Sequence, residues 1–175
     1  DVICVGSSSP TDEHKNASSS DGLFGWGSSY IGPGPDVVAP GPWSYTTDRQ
    51  GALGYNQDST VSGIDADYTH DFGGTSSSTP KVAGIVALML SKNPSLTPGQ
   101  VKTILRDTAH DIDLPGVDDR TGAGRVDVLA AIEATPSTQH FLLRVQTAGD
   151  GAGTVTSDPP GIDCGSDCGE SYASG

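Results

Sequence analysis

The sequence predicts an α/β fold with a small β segment at its C-terminal end. Three observations predict it. Short apolar runs closed by Gly or Pro, DVICVG and PDVVAPG, read as buried strands. A long apolar run from Pro80 to Lys92, then a residue pattern at helical spacing, read as packed helices. From His140 onward, apolar and polar residues alternate as in strands. Composition agrees with loops and sheets better than with a helical bundle: the 175 residues include 24 glycines and 12 prolines and few aromatics. The net charge of −13 opposes binding to nucleic acid or anionic lipid. No apolar run reaches membrane-spanning length.

The elements follow in order. Asp1–Gly6 is expected to be a strand, with Cys4 as a small buried hydrophobe inside it. There is no initiator Met and no signal-peptide pattern, so the chain is read as starting inside a fold. Residues 7–34, rich in Ser, Gly and Asp, read as loop. Pro35–Gly41 is the second strand, and Pro42–Asp71 reads again as loop. Pro80–Lys92 is apolar on nearly every face, which predicts a helix buried all round. Thr97 and Pro98 mark a helix start, and Val101, Ile104 and Leu105 share one face of that helix. A third helix is predicted over Val126–Ala134.

Residues 135–139 read as a linker between a first domain, 1–134, and a small β module, 140–175. In that module Phe141, Leu143 and Val145 are expected on one side of a hairpin whose second strand is Gly153–Thr156. About thirty-five residues seldom form a stable β domain alone, so the module is expected to continue past Gly175. Cys164 and Cys168 lack two further soft ligands nearby, so a local disulfide is preferred over a metal pair. Such a bond implies an oxidising compartment.

The chemistry concentrates in FGGTSSSTPKVAGIVALML, Phe72 to Leu90. Ser76 lies where the buried helix is expected to begin. A helix N-terminus offers unpaired amides and partial positive charge. A serine placed there can attack a carbonyl while its own N–H steadies the oxyanion. Gly73 and Gly74 leave room for a substrate backbone, and Thr75 flanks the nucleophile. Pro80 is assigned to the first helical turn, where it has no hydrogen bond to lose.

GTSSSTPKVAG resembles the active-site serine motif of the subtilisin-like serine proteases (subtilases), GTSxAxPxVAG. Gly74, Thr75, Ser76, Pro80, Val82, Ala83 and Gly84 all match it. Ser78 replaces the usual alanine, a small-for-small change. Lys81 stands where His or another residue is common and is given no chemical role. DVICVG, PDVVAPG, NPSLTPGQVKTILRDTA and GAGRVDVLAAI resemble further family segments, so the likeness covers roughly Asp1–Ala134. The resemblance implies the C-terminal portion of a three-layer subtilisin-like α/β fold with a mostly parallel sheet. It implies Ser76 as nucleophile, Gly73, Gly74 and Thr75 as active-site loop, and a protein or peptide substrate. The family's His and Asp, and its oxyanion Asn, precede these segments, and none of their motifs occurs here. The bare chain is therefore expected to be inactive and its full-length parent active.

Local histidines are weak substitutes for the missing base. His70, six residues before Ser76, reads as a solvated loop residue; His14 and His110 sit in polar segments, and His140 opens the β module. Asp111, Asp113, Asp118 and Asp119 cluster in a Gly-turned loop, but their spacing fits no EF-hand and they read as solvated surface. The chemistry requires no cofactor; structural calcium occurs in the family, with no ligands assignable here. The last segment resembles cysteine-containing β-repeats of secreted bacterial enzymes and surface proteins. The leading reading is a secreted bacterial serine endopeptidase. The rival is a non-catalytic surface or adhesion protein built on a decayed subtilase half. Cleavage preference and oligomeric state are left open.

Overall fold

A computed structural model describes residues 2–21, 26–28, 34–56, 67–138, 140–146, 148, 153–164 and 168–173. The chain divides into two compact units, Asp1–Pro136 and Ser137–Gly175.

In the first unit, β1 (Val5–Ser8) and β2 (Val37–Pro40) pair in parallel, Val5 opposite Val37 through Ser8 opposite Pro40. On the other side of β2, the Val38 amide donates to the Gly124 carbonyl and the Val126 amide donates to the Val38 carbonyl, at 2.9 and 3.0 Å. Flanked on both edges, β2 is fully buried over Val37–Ala39, which is why it reads as an uninterrupted apolar run. The first strand differs from expectation. It runs later, and Cys4 is exposed. Ile3 and Val5 pack against the core, so the alternation of an extended chain turns the intervening Cys4 outward. Ser7, Ser8 and Ser9, expected in a turn, are fully buried instead.

The stretch expected as loop contains a second pair of strands. β3 (Ser44–Thr47) runs antiparallel to β4 (Tyr68–Phe72), with a register shift between Ser44 and Thr46. Tyr45 and Tyr68 stack across the pair, centroids 6.1 Å apart. The described strands of this unit form two-stranded pairs, one parallel and one antiparallel, with a further parallel bridge between Val38 and Arg125.

Helix α1 (Thr75–Lys92) begins at Thr75, ahead of the expected Pro80, which lies inside it. It buries one stripe, Ser78, Val82, Ile85 and Met89, at the spacing of a single helix face. It is not buried all round, because Leu88 is 53% and Leu90 37% exposed. Helix α2 (Pro98–Asp107) starts as its sequence predicts. The Thr97 hydroxyl accepts from the Gln100 amide while the Gln100 side chain accepts from the Thr97 amide, a capping box with Pro98 behind it. Helix α3 (Val128–Ala134) starts after Asp127, whose carboxylate caps the Ala130 amide. Val126, expected in that helix, is instead tied to β2. The core gathers Val37 and Ala39 from β2, the α1 stripe, Val101 and Leu105 from α2 and Ala131 from α3.

In the second unit the pairing is not the expected local hairpin. β5 (His140–Arg144) pairs antiparallel with β8 (Gly169–Ala173), and β6 (Val155–Thr156) pairs with β7 (Asp163–Cys164). Short-range alternation specifies strands but not their partners. Cys164 and Cys168 are joined by a disulfide; the residues between them, and most of the glycine-rich turn at 147–152, lie outside the described residues. Among the described residues no helix is long and apolar enough to cross a membrane.

Candidate active site

The head of α1 is built by one glycine. Gly74 has φ 86° and ψ −178°, a backbone region essentially closed to residues with a Cβ. Its carbonyl accepts from the Ser77 amide at 2.9 Å and the Ser78 amide at 3.3 Å. The Ser78 bond is the first of the helix ladder, and the Ser77 bond satisfies one of the amides a helix start otherwise leaves unpaired. The amides of Thr75 and Ser76 have no acceptor among the described residues, and both residues are exposed.

Three consecutive serines are sorted by the helix. Ser78 is fully buried and donates to the Ala39 carbonyl at 2.8 Å, so its hydroxyl binds α1 to β2 and does more than the alanine it replaces. Ser77 is buried and shares a short hydrogen bond with the Ser44 hydroxyl of β3. Ser76 faces outward, its hydroxyl without a protein partner among the described residues. Pro80, four residues on, has no N–H to give to the Ser76 carbonyl. It therefore weakens the helix ladder under the serine; it does not sit harmlessly in the first turn.

The loop before the helix rests on the turn after β2. A Cβ on Gly73 would lie 3.4 Å from the Gly41 carbonyl oxygen and 3.9 Å from Trp26 Cζ2. A Cβ on Gly41 would come within 3.0 Å of the Gly74 carbonyl oxygen and collide with the Ser7 hydroxyl. Gly41 is thus part of the site, a role hidden in the sequence by its strand-closing position. Beside it, Lys81 Nζ donates to the Pro40 carbonyl and to the Ser44 hydroxyl, each at 2.7 Å. Burial depresses the Lys81 pKa below the ordinary lysine value. These groups edge a cleft of ≈ 270 Å³ whose lining includes Tyr45, Phe72 and Ser77.

No described histidine serves Ser76. His70 lies on β4 with its ring half exposed, 3.2 Å from Asp71. His14 is buried and faces the Ser28 carbonyl at 3.2 Å; burial lowers its pKa and outweighs that hydrogen bond. His110 is exposed, and its backbone pairs with Arg125. The side chain of His140 lies outside the described residues.

The acidic loop is occupied with its own turns. Asp111 accepts from the Gly116 amide, Asp118 from the Arg120 and Thr121 amides, and Asp113 pairs with Arg120. Among the described residues no three His, Cys, Asp or Glu side chains converge as metal ligands.

The model of the subtilase family matches residues 1–124. The chain belongs to the subtilase family. A calcium-dependent protease of Nostoc sp. is 40% identical over 117 residues, which is 62% of this chain and 17% of that protein. An extracellular protease of Xanthomonas campestris is 41% identical over 108 residues, 61% of this chain and 17% of that protein. The crystal structure of fervidolysin from Fervidobacterium pennivorans, a keratinolytic enzyme related to subtilisin, superposes with a TM-score of 0.53 at 25% identity. That match covers 83% of this chain and 22% of that one. The subtilase thus spans about a sixth of the length of these curated relatives.

Proposed function

We propose that this subtilase segment bears the nucleophile of a secreted bacterial serine endopeptidase, acting on protein or peptide substrates. The observation behind the reading is the sorting at the head of α1. Ser76 is exposed, its hydroxyl and amide without a partner among the described residues, while Ser77 and Ser78, which follow it, are buried and bonded. In this mechanism Ser76 Oγ attacks the scissile carbonyl and its proton passes to a histidine base. The carbonyl oxygen becomes an oxyanion facing the Ser76 amide, and the amine leaves as an acyl-enzyme forms; water then hydrolyses that ester. Gly73, Gly74 and Thr75 shape the approach. A serine hydroxyl alone stays protonated at neutral pH and needs a base; since no described histidine reaches Ser76, this reading takes the base and the second oxyanion donor from residues outside these 175. The three-layer architecture with a mostly parallel sheet belongs to the same proposal. So does the assignment of 1–134 to the peptidase domain, of 135–139 to a linker and of 140–175 to a β-repeat module. Relatives named as extracellular proteases support secretion, and the Cys164–Cys168 disulfide suits an oxidising compartment. The Nostoc relative's name raises structural calcium for the whole protein, with no ligand set assigned here.

The test is fluorophosphonate labelling and casein hydrolysis by the longest natural chain that contains this sequence. Labelling that maps to Ser76 and vanishes in Ser76→Ala is expected. Hydrolysis that persists in Ser76→Ala, or labelling of Ser76 in the bare 175 residues at the same rate, refutes the reading.

A further inference from the structure

The cleft beside the nucleophile holds a cation that no carboxylate answers. The protein carries net charge −13, and most of its described cations are paired with acids: Lys15 with Asp21, Lys102 and Arg106 with Asp36, Arg120 with Asp113, Arg125 with Asp12; Lys92, like Lys81, donates to a neutral carbonyl. Lys81 has no acid within ion-pair distance among the described residues. Its two partners, the Pro40 carbonyl and the Ser44 hydroxyl, are both neutral. Lys81 is exposed at the edge of the cleft, so an incoming anion can reach its ammonium.

The hydroxyls beside it have a proton to spare. An ammonium only donates, so Lys81 occupies a lone pair of Ser44 and no proton. Ser44 and Ser77 together have two hydroxyl protons, and their mutual hydrogen bond uses one, whichever of them donates. The other proton has no acceptor among the described residues, and both serines line the cleft. A cation and an O–H donor therefore edge one cavity of ≈ 270 Å³, lined otherwise by Tyr45, Thr46, Phe72 and Pro80. That is room for one side chain, with charge and donor at one edge.

We propose that this cleft is a subsite for an acidic substrate side chain, its carboxylate received by Lys81 and by the spare hydroxyl proton of the Ser44–Ser77 pair. The proposal rests on the peptidase reading only for its meaning as substrate specificity; the binding itself does not depend on it. Ser77 is the residue that follows the nucleophile, so the subsite would select a residue close to the cleaved bond.

The experiment uses the longest natural chain in its Ser76→Ala form, which binds without cutting, and a set of hexapeptides in which Glu or Gln is placed at each position in turn. Dissociation constants are read by calorimetry. At one position the Glu peptide should bind roughly three- to tenfold more tightly than its Gln partner, the range for a half-exposed ion pair with one added hydrogen bond. Lys81→Met should abolish that difference and Ser44→Ala reduce it, with circular dichroism unchanged in both. Equal affinities at every position, no binding of either peptide, or a Glu preference that survives Lys81→Met overturns the subsite. A Ser76 that fails to label in the wild-type protein refutes the peptidase reading separately, and the Glu–Gln comparison still decides the subsite.

Discussion

Gly74→Ala tests the geometry on which Ser76 depends. A Cβ at position 74 would meet only the Ser76 amide nitrogen, at 3.8 Å, which is ordinary contact. Crowding is therefore not the cost. The cost lies in the backbone: φ 86° with ψ −178° is a region reserved for glycine and penalises other residues by about 1–3 kcal/mol. The variant has two ways to respond. If the turn keeps its shape, the whole penalty appears as lost stability, about 2–4 °C of melting temperature per kcal/mol in a domain of 150–250 residues. If the turn relaxes, the Gly74 carbonyl leaves the Ser77 and Ser78 amides and Ser76 swings from its place. The loss then appears as slower labelling, about 5- to 150-fold for the same free energy. Measuring the melting temperature and the rate of fluorophosphonate labelling on one preparation captures both. A Gly74→Ala protein with wild-type stability and wild-type labelling refutes the claim that this glycine builds the site.

Other predictions follow from single contacts. Asp36 is 11% exposed, and its carboxylate holds Lys102, Arg106 and the Cys4 amide, each at 2.9 Å. Burial raises its pKa, but these bonds outweigh burial and hold the pKa below the ordinary 3.8. The stabilisation is therefore complete above that ordinary value and is lost as pH falls through the lowered folded one. Asp36→Asn should cost about 1–2 kcal/mol at pH 7 and flatten the acid limb of a plot of unfolding midpoint against pH. Ser78→Ala removes the side-chain hydrogen bond that ties α1 to the Ala39 carbonyl of β2 and should lower stability by about 1 kcal/mol in denaturant titrations. It should leave labelling at Ser76 in place. Many subtilases have an oxidisable methionine directly after the nucleophile. Here that position is Ser77, and the single methionine, Met89, is fully buried. Peroxide should therefore leave the Ser76 labelling rate unchanged, and rapid inactivation with methionine sulfoxide at position 89 would contradict this.

Helices were the legible part of the fold. The existence of α1 and the Thr97 start of α2 depend on spacing and on neighbours within one turn, which a sequence displays directly, whereas the start of α1 at Thr75 and its one-sided burial were not displayed. The β3–β4 pair was not legible. Ser44–Thr47 alternates hydroxyls and an aromatic without an apolar face, so its strand character arises from a partner twenty or so residues away. Buried polar groups were equally hidden. Lys15 looks like loop residue, yet it is fully buried against Asp21 at 3.4 Å and over the Trp26 ring at 4.7 Å. Ser76 was visible because the order of its small neighbours is restrictive. Gly41 and Lys81 were not, because their contacts with Gly74, Pro40 and Ser44 are made across the fold.

Two observations that look unrelated have one cause under the proposed function. Helix α1 is apolar on nearly every face, yet Leu88 and Leu90 are exposed. Ser76 is poised as a nucleophile, yet no described histidine reaches it. A helix apolar all round belongs in an interior, and a nucleophilic serine belongs beside a base. The described residues of the unit Asp1–Pro136 complete neither requirement, while they hold the serine through Gly74, the Ser78–Ala39 bond and the approach of Gly73 to the Gly41 turn. The site is therefore divided by function. Nucleophile and oxyanion amide are preorganised by residues within seventy positions of one another, around a strand and a helix that pack directly. Proton transfer depends on groups that must reach the same helix end from elsewhere in the protein.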